Sequence, residues 1–298
     1  MSTFAQKYSI KIKIRKMKSR DELIDDLLTL AFAEDVGDGD HTTLSTIPAS
    51  AMGKQHLLIK QSGILAGVDI ARKVFNKFDP SLKMTVFIED GATVKPGDIA
   101  FVVEGSVRSL LQTERVMLNI MQRMSGVATA THEYQSRLEG LMARVLDTRK
   151  TTPGMRLLEK EGVRIGGGAN HRIGLFDMIL IKDNHVDFAG GIQNAIRAAK
   201  EYCSSNGKDL KIEVEVRNTD EIRLALDEGV DRIMLDNFTP EATRDAVKLI
   251  NGAAEVESSG GITLETLRAY GEAGVDFISV GALTHSVKGL DMSFKACE

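Results

Sequence analysis

Cysteine is scarce in this chain of 298 residues. The two present, Cys203 and Cys297, stand far apart and match no metal or redox spacing. They read as reduced thiols, which excludes a disulfide scaffold and points to the cytoplasm. Long apolar runs are also missing. None approaches the roughly 18 residues of a membrane span, and the N-terminus lacks the apolar centre of a secretory signal. An excess of positive charge is absent too, since 38 basic residues face 42 acidic ones for a formal net charge of −4. Without a general positive field, neither nucleic acid nor an anionic membrane is an expected partner. Against that background, any local cluster of bases is conspicuous.

What is present suits a soluble globular chain. Hydrophobic residues make up 43%, and the length allows roughly two domains. From Tyr8 to Lys16, isoleucines alternate with basic residues, as in an edge strand or a frayed tail. Ser19, with Glu22 three residues on and Leu23, Leu27, Leu28 and Ala31 on one face, predicts a capped helix ending in the turn-rich Asp35 to Asp40. Strands are expected around His56 to Lys60, Lys83 to Ile88 and Ile99 to Val103. The turns Asp90-Gly91 and Pro96-Gly97 between the last two imply antiparallel pairing. Lys95 before Pro96-Gly97-Asp98 resembles a carrier-domain hairpin, but an ordinary tight turn is the favoured reading. A helix over Ser109 to Gln122 leads out of this first domain.

From about Arg144 the rhythm changes to short apolar strands alternating with amphipathic helices. The strands are Val145 to Asp147, Met178 to Ile181, Ile212 to Val216, Ile233 to Leu235, Glu255 to Ser258 and Phe277 to Val280, a parallel β/α pattern. Between Leu141 and Thr284 there is less chain than the roughly 200 residues of an eight-fold barrel, so an irregular, incomplete β/α barrel is expected.

Parallel β/α folds bind ligands at the carboxyl ends of their strands. Those ends carry Asp147 to Lys150, Lys182 to His185, Glu213 and Glu215, Asp236-Asn237, Ser258 to Gly261, and Gly281-Ala282. Basic groups meet at three places: Arg149 with Lys150, His171 with Arg172, and Lys182. Such groups repel one another unless an anion lies between them. The alternative is a solvated set paired with Glu159, Glu161 and Asp183. Gly166-Gly167-Gly168 either lets backbone approach a ligand or makes a flexible loop. Ser258-Ser259-Gly260-Gly261 precedes a helix expected near Thr263 and, with Gly281-Ala282, forms a candidate phosphate cup. Glu213 and Glu215 share a strand face, and one should reach the pocket beside Asp236. Carboxylates in such a cleft suggest Mg²⁺ held largely through water and substrate oxygens; ion pairing with Lys150 or Lys182 is the alternative.

The motifs Glu34-Asp35 to Thr43, Asp147-Thr148-Arg149-Lys150-Thr151-Thr152-Pro153-Gly154, Gly166 to Arg172, Ile181 to His185, Glu213 to Val216, Leu235 to Phe238, Glu257 to Gly261 and Gly281 to Ser286 resemble the quinolinate phosphoribosyltransferase family. The resemblance runs from Met17 almost to the end. It implies an α+β open-faced sandwich over 17–125, a catalytic barrel over 126–284, and a segment 285–298 packing back on the first domain, with 1–16 as an extension. It also implies transfer of phosphoribose from 5-phosphoribosyl-1-pyrophosphate (PRPP) to quinolinate with Mg²⁺, giving nicotinate mononucleotide, pyrophosphate and CO₂ in NAD biosynthesis. By the same resemblance, Arg149, His171, Arg172 and Lys182 hold the quinolinate carboxylates and Lys150 meets the pyrophosphate. Glu215 and Asp236 serve ribose and metal, and Ser258, Ser259, Gly260, Gly261, Gly281 and Ala282 cradle the phosphate. Family enzymes are homodimers in which an arginine of the first domain enters the partner's site, and Arg115 occupies that motif. The chain departs from the pattern at Glu161-Gly162, where an aromatic and a small apolar residue are expected. Rival readings are a related phosphoribosyltransferase with another acceptor, such as nicotinate, a Schiff-base aldolase using Lys182, and a catalytically silent binding protein.

Overall fold

The structure, a computed structural model, describes residues 18–297. The alternating segment Tyr8 to Lys16 lies outside the described residues.

Helix α1 (Arg20–Asp35) starts where the capping box predicts. The Ser19 hydroxyl accepts from the Glu22 N–H at 3.2 Å, and the Glu22 carboxylate accepts from the Ser19 N–H at 2.6 Å. Next come α2 (His41–Thr46), β1 (Met52–Ile59), β2 (Gly63–Ile64), α3 (Val68–Phe78), β3 (Lys83–Val86), β4 (Thr93–Val94) and β5 (Ile99–Ser106). Strands β1 and β3 each pair antiparallel with β5, as the turn signals imply. Lys95 stands in an ordinary turn, its N–H donating to the Asp98 carboxylate at 2.9 Å. Helix α3 was not foreseen. Its cap is distant in sequence: Gly67 enters with a φ of +104°, and the Val68 N–H donates to Asp90 Oδ1 at 2.9 Å.

Helix α4 (Val107–Ser136) is twice as long as Ser109 to Gln122 suggests. The apolar pattern fades at Arg123 and Ser125, yet both are satisfied in the fold. Arg123 pairs with Glu159 at 2.8 Å, and the Ser125 hydroxyl bonds both the N–H and the C=O of Ala66. Upstream of Ala128 the helix serves mainly the core of the first domain, while Val127 joins the core of the second.

The second domain runs β6 (Arg144–Leu146), α5 (Arg156–Ile165), β7 (Ile179–Ile181), α6 (Asp183–Ala189), α7 (Ile192–Ser205), β8 (Ile212–Val216), α8 (Thr219–Glu228), β9 (Arg232–Asp236), α9 (Pro240–Ile250), β10 (Glu255–Ser259), α10 (Leu267–Glu272), β11 (Phe277–Ser279) and α11 (Ala282–His285). All six strands are parallel, in the order β6-β11-β10-β9-β8-β7. The barrel does not close, in keeping with the short chain. Residues 168–170 run along the free edge of β6, where the Ala169 N–H donates to Val145 C=O at 2.8 Å.

The two faces of this sheet differ. Val214, Val216, Ile233, Leu235, Val256 and Ile278 point toward the helices and form their core. By alternation, Glu213, Glu215, Arg232, Glu257 and Ser279 occupy the inner face. The interior is therefore charged, unlike the aliphatic layers that fill an ordinary eight-fold barrel. Finally β12 (Met292–Ala296) returns to pair antiparallel with β1, and Phe294 packs 5.9 Å from Phe75 and 6.3 Å from Phe101 between ring centres.

Candidate active site

The carboxyl end of β6 leads into Asp147, which is fully buried. Its Oδ1 accepts from Lys160 Nζ on α5 and, at 2.9 Å, from the His171 N–H; Lys160 also donates to His171 C=O at 2.9 Å. With its amide oriented to suit these neighbours, Asn170 donates to Asp147 Oδ2 at 2.7 Å. Burial pushes Asp147 up to about 6 and Lys160 down, against their mutual attraction. This latch fastens the two basic segments 149–150 and 171–172 to one another. Sequence reasoning missed Lys160 and Asn170 because a buried lysine on an amphipathic helix looks like any surface lysine until its partner is known.

Two of the predicted bases come together. Arg149 lies close enough to Arg172 that its charge, after burial, lowers the Arg172 guanidinium; Glu213 opposes that effect. Glu159 goes to Arg123, and Glu161 to Arg20 and Arg164, so neither pairs with these bases, whereas Lys182 is ion-paired with Glu215 as the alternative reading of that carboxylate expects. Among the described residues, Arg149, Lys150 and Arg172 have no carboxylate within ion-pair distance. Arg156, also unforeseen, braces the loop by donating to Thr151 Oγ1 at 3.0 Å, Ile173 C=O at 3.1 Å and Arg149 C=O at 3.3 Å. Arg115 is exposed on α4.

Lys182, at the end of β7, forms an ion pair with Glu215 on β8. Glu215 pairs in register with Met234, and Asp236 stands two residues on along β9, so these carboxylates are diagonal neighbours on one face. Asp236 is half-buried and accepts from Asn237 Nδ2 at 2.8 Å. An all-oxygen pair at an open strand end fits a hard divalent cation that keeps most of its shell as water or substrate oxygens. Glu213, the other candidate, does not reach this mouth. It is fully buried, as is Glu257, and both face His171 beneath the arginines.

His171 itself departs from expectation. Its Nδ1 accepts from the Arg172 N–H at 2.7 Å, and its Nε2 lies 2.9 Å from Glu213 and 3.6 Å from Glu257. The Nε2–Glu213 approach is off the line of a hydrogen bond, and the atom is shut off from solvent. Both ring nitrogens face protein groups in this structure, which gives His171 a supporting role beside the expected contact with an acceptor carboxylate. Burial lowers its pKa, favouring the neutral ring.

Two glycine readings also change. A Cβ on Gly166 would lie 2.3 Å from Ala128 C=O, and one on Gly168 would lie 2.7 Å from Thr131 Cγ2. That run exists for close packing on α4, not for a ligand. Gly162, part of the departure from the family motif, is similarly placed 2.9 Å from Met124 C=O. In the candidate phosphate cup, α10 runs from Leu267 and is only six residues long, although the Leu267 N–H already donates to Thr263 C=O at 2.9 Å, and the four-residue α11 starts at Ala282. Both helices are short, so the cup is mainly loop backbone. Gly260 has a φ of +104° and abuts Asn237, where any Cβ would meet Oδ1 at 2.2 Å; Gly261 has a φ of +59°. Ser259 adjoins Asp236 in register, and Ser258 is buried with an unpartnered hydroxyl. Gly281, beside Ala282, leaves room for the Lys150 chain at 3.4 Å and for His285 at 3.0 Å. Lys150 is thus brought to the phosphate side, apart from Lys182.

Known proteins match the chain across both domains. Residues 40–125 match the family model for the N-terminal domain of quinolinate phosphoribosyl transferase, and residues 127–295 match the model for its C-terminal domain. The chain is 44% identical over 286 residues to a mitochondrial quinolinate phosphoribosyltransferase (decarboxylating) of Nicotiana tabacum, covering 91% of this chain and 81% of that one. It is 42% identical to a probable nicotinate-nucleotide pyrophosphorylase (carboxylating) of Bacillus subtilis, covering 90% and 91%. The crystal structure of NadC from Streptococcus pyogenes superposes with a TM-score of 0.88 at 39% identity, covering 95% of this chain and all of that one.

Proposed function

Because the chain belongs to the quinolinate phosphoribosyltransferase family, we propose that it transfers phosphoribose from PRPP to the ring nitrogen of quinolinate. The products are nicotinate mononucleotide, pyrophosphate and CO₂, a step of de novo NAD biosynthesis. The observation that carries this reading is the pair of uncompensated guanidinium groups, Arg149 and Arg172, with Lys182 beside them. A dicarboxylate satisfies two guanidinium forks, whereas nicotinate leaves one empty.

In this reading, Arg149 and Arg172 grip the carboxylates and aim the pyridine nitrogen at the anomeric carbon. Lys182 joins them by exchanging Glu215 for substrate. The backbone at Ser258, Ser259, Gly260, Gly261, Gly281 and Ala282 takes the 5-phosphate, and Lys150 meets the departing pyrophosphate. Glu215 and Asp236 would hold Mg²⁺ and the ribose hydroxyls; the ion would screen charge on the leaving group. As the C–O bond breaks, the nitrogen lone pair bonds to the anomeric carbon and becomes cationic. That positive charge then stabilises the electron pair left on the adjacent ring carbon when its carboxylate leaves as CO₂, and a proton takes the carboxylate's place on that carbon. The two unpaired cysteines are in keeping with a cytoplasmic enzyme, although relatives named for mitochondria and chloroplasts show that compartment varies in the family. Among the described residues no helix is long and apolar enough to cross a membrane. Arg115, exposed on α4, completes the site of the partner in a homodimer.

The test is acceptor choice. With PRPP and Mg²⁺, quinolinate should be consumed and nicotinate should not. Turnover of nicotinate without quinolinate would overturn the assignment.

A further inference from the structure

Beneath the arginines lies a buried polar floor that the proposed chemistry does not use. It comprises Glu213 on β8, Arg232 on β9, Glu257 on β10 and Ser279 on β11, brought together by strand register. The Ser279 hydroxyl donates to Glu257 Oε1, and Arg232 Nη1 lies 3.3 Å from Glu257 Oε2. Arg232 is fixed in turn by Glu255 at 2.9 Å and by the Phe277 ring, 4.3 Å from its guanidinium carbon. His171 Nε2 enters this floor from the ligand side.

The atoms of His171, Glu213 and Glu257 lie within 4.8 Å of one another, close enough for a metal ion. Arg232 already brings a cation to this carboxylate cluster, and a second, divalent charge would be forced against it. A structural role explains more. Orphaned buried acceptors are costly unless a proton faces them; the Nε2–H form of His171 turns its proton toward both carboxyls, 2.9 Å from Glu213 and 3.6 Å from Glu257, out of line for a hydrogen bond to either. In that tautomer Nδ1 must be an acceptor, and the atom it accepts from is the Arg172 N–H.

We propose that Glu257, with Glu213, is a positioning residue for acceptor binding: it holds His171 in the Nε2–H tautomer, and His171 in turn sets the backbone from which Arg172 reaches the acceptor. The chain of contact runs from Ser279 to Glu257, from Glu257 to His171, and from His171 to Arg172. The proposal rests on Arg172 being an acceptor ligand, as argued above. No side chain of the floor hydrogen-bonds to the candidate phosphate cup or to Lys150 among the described residues, although Glu257 adjoins Ser258 along β10.

The test uses the full-length Glu257→Ala and Glu257→Gln variants, with Ser279→Ala as a milder change that keeps the carboxyl group. Quinolinate and PRPP affinities are measured separately, and the ¹⁵N shifts of the His171 ring are recorded without any substrate. Glu257→Ala should weaken quinolinate binding tenfold or more, leave PRPP binding within twofold, and disturb the His171 tautomer. Glu257→Gln should recover most of the loss, and Ser279→Ala should fall between. Equal weakening toward both ligands, or an unchanged His171 spectrum in Glu257→Ala and Ser279→Ala, would overturn the proposal. Because the spectrum needs no substrate, failure here is distinguishable from failure of the acceptor assignment, which the wild-type enzyme would reveal by not binding quinolinate.

Discussion

Lys160 shows how much depends on a single buried partner. It is one charge facing Asp147 in a dry interior, so Lys160→Met leaves a carboxylate unpaired. Breaking such a pair costs about 3–5 kcal/mol. Urea unfolding should show that loss, and Lys160→Met combined with Asp147→Asn should recover part of it; a loss under about 1 kcal/mol would mean the latch matters little to folding. Glu257 offers a pH test. Burial, aided by the charge of Glu213, raises its carboxyl from an ordinary 4.5 to about 8. Between those values the folded chain holds a proton that the unfolded chain has lost, so stability falls as pH rises through that window. Unfolding midpoints at pH 5.5 and 8 should differ less in Glu257→Gln than in the parent. Of these groups, Arg149, Arg172 and Lys182 were legible in the sequence because they stand at strand ends beside glycine. Lys160, Glu257 and the inward turn of His171 were not, since their roles depend on which strands become neighbours.

The parallel strands were the most readable elements. Each is a short apolar run between amphipathic helices, and β8 falls on the residues expected from its pattern. Helix ends were harder to read. The cap of α1 is local and was visible, whereas α3 borrows its cap from Asp90, and α4 continues past Gln122 because distant groups satisfy Arg123 and Ser125. Glycine was misread for a related reason: a residue that permits close approach does not reveal what approaches. Gly166→Ala tests the packing reading, because its Cβ would fall 2.3 Å from Ala128 C=O. Overpacking at such a junction costs about 1–3 kcal/mol, so the thermal midpoint should drop, with activity at low temperature largely kept. Loss of activity at unchanged stability would return the glycine run to the ligand.

In the whole chain, two domains share one helix and one returning strand. α4 serves both cores, and β12 carries the last residues from the barrel back to β1. That return brings Phe294 into the aromatic core of the first domain. Arg115 lies on the exposed side of α4, so its proposed place is another subunit's site. Mixing an Arg115→Ala chain with a Lys182→Ala chain should restore part of the activity that each lacks alone. No recovery after proven subunit exchange would place Arg115 in its own chain's chemistry or outside it. The central claim is decarboxylating transfer to a dicarboxylate, and the direct measurement uses quinolinate labelled in the carboxyl group next to the ring nitrogen. With PRPP and Mg²⁺, labelled CO₂ should appear one for one with pyrophosphate and nicotinate mononucleotide. Pyrophosphate release without labelled CO₂, or no turnover at all, would contradict it.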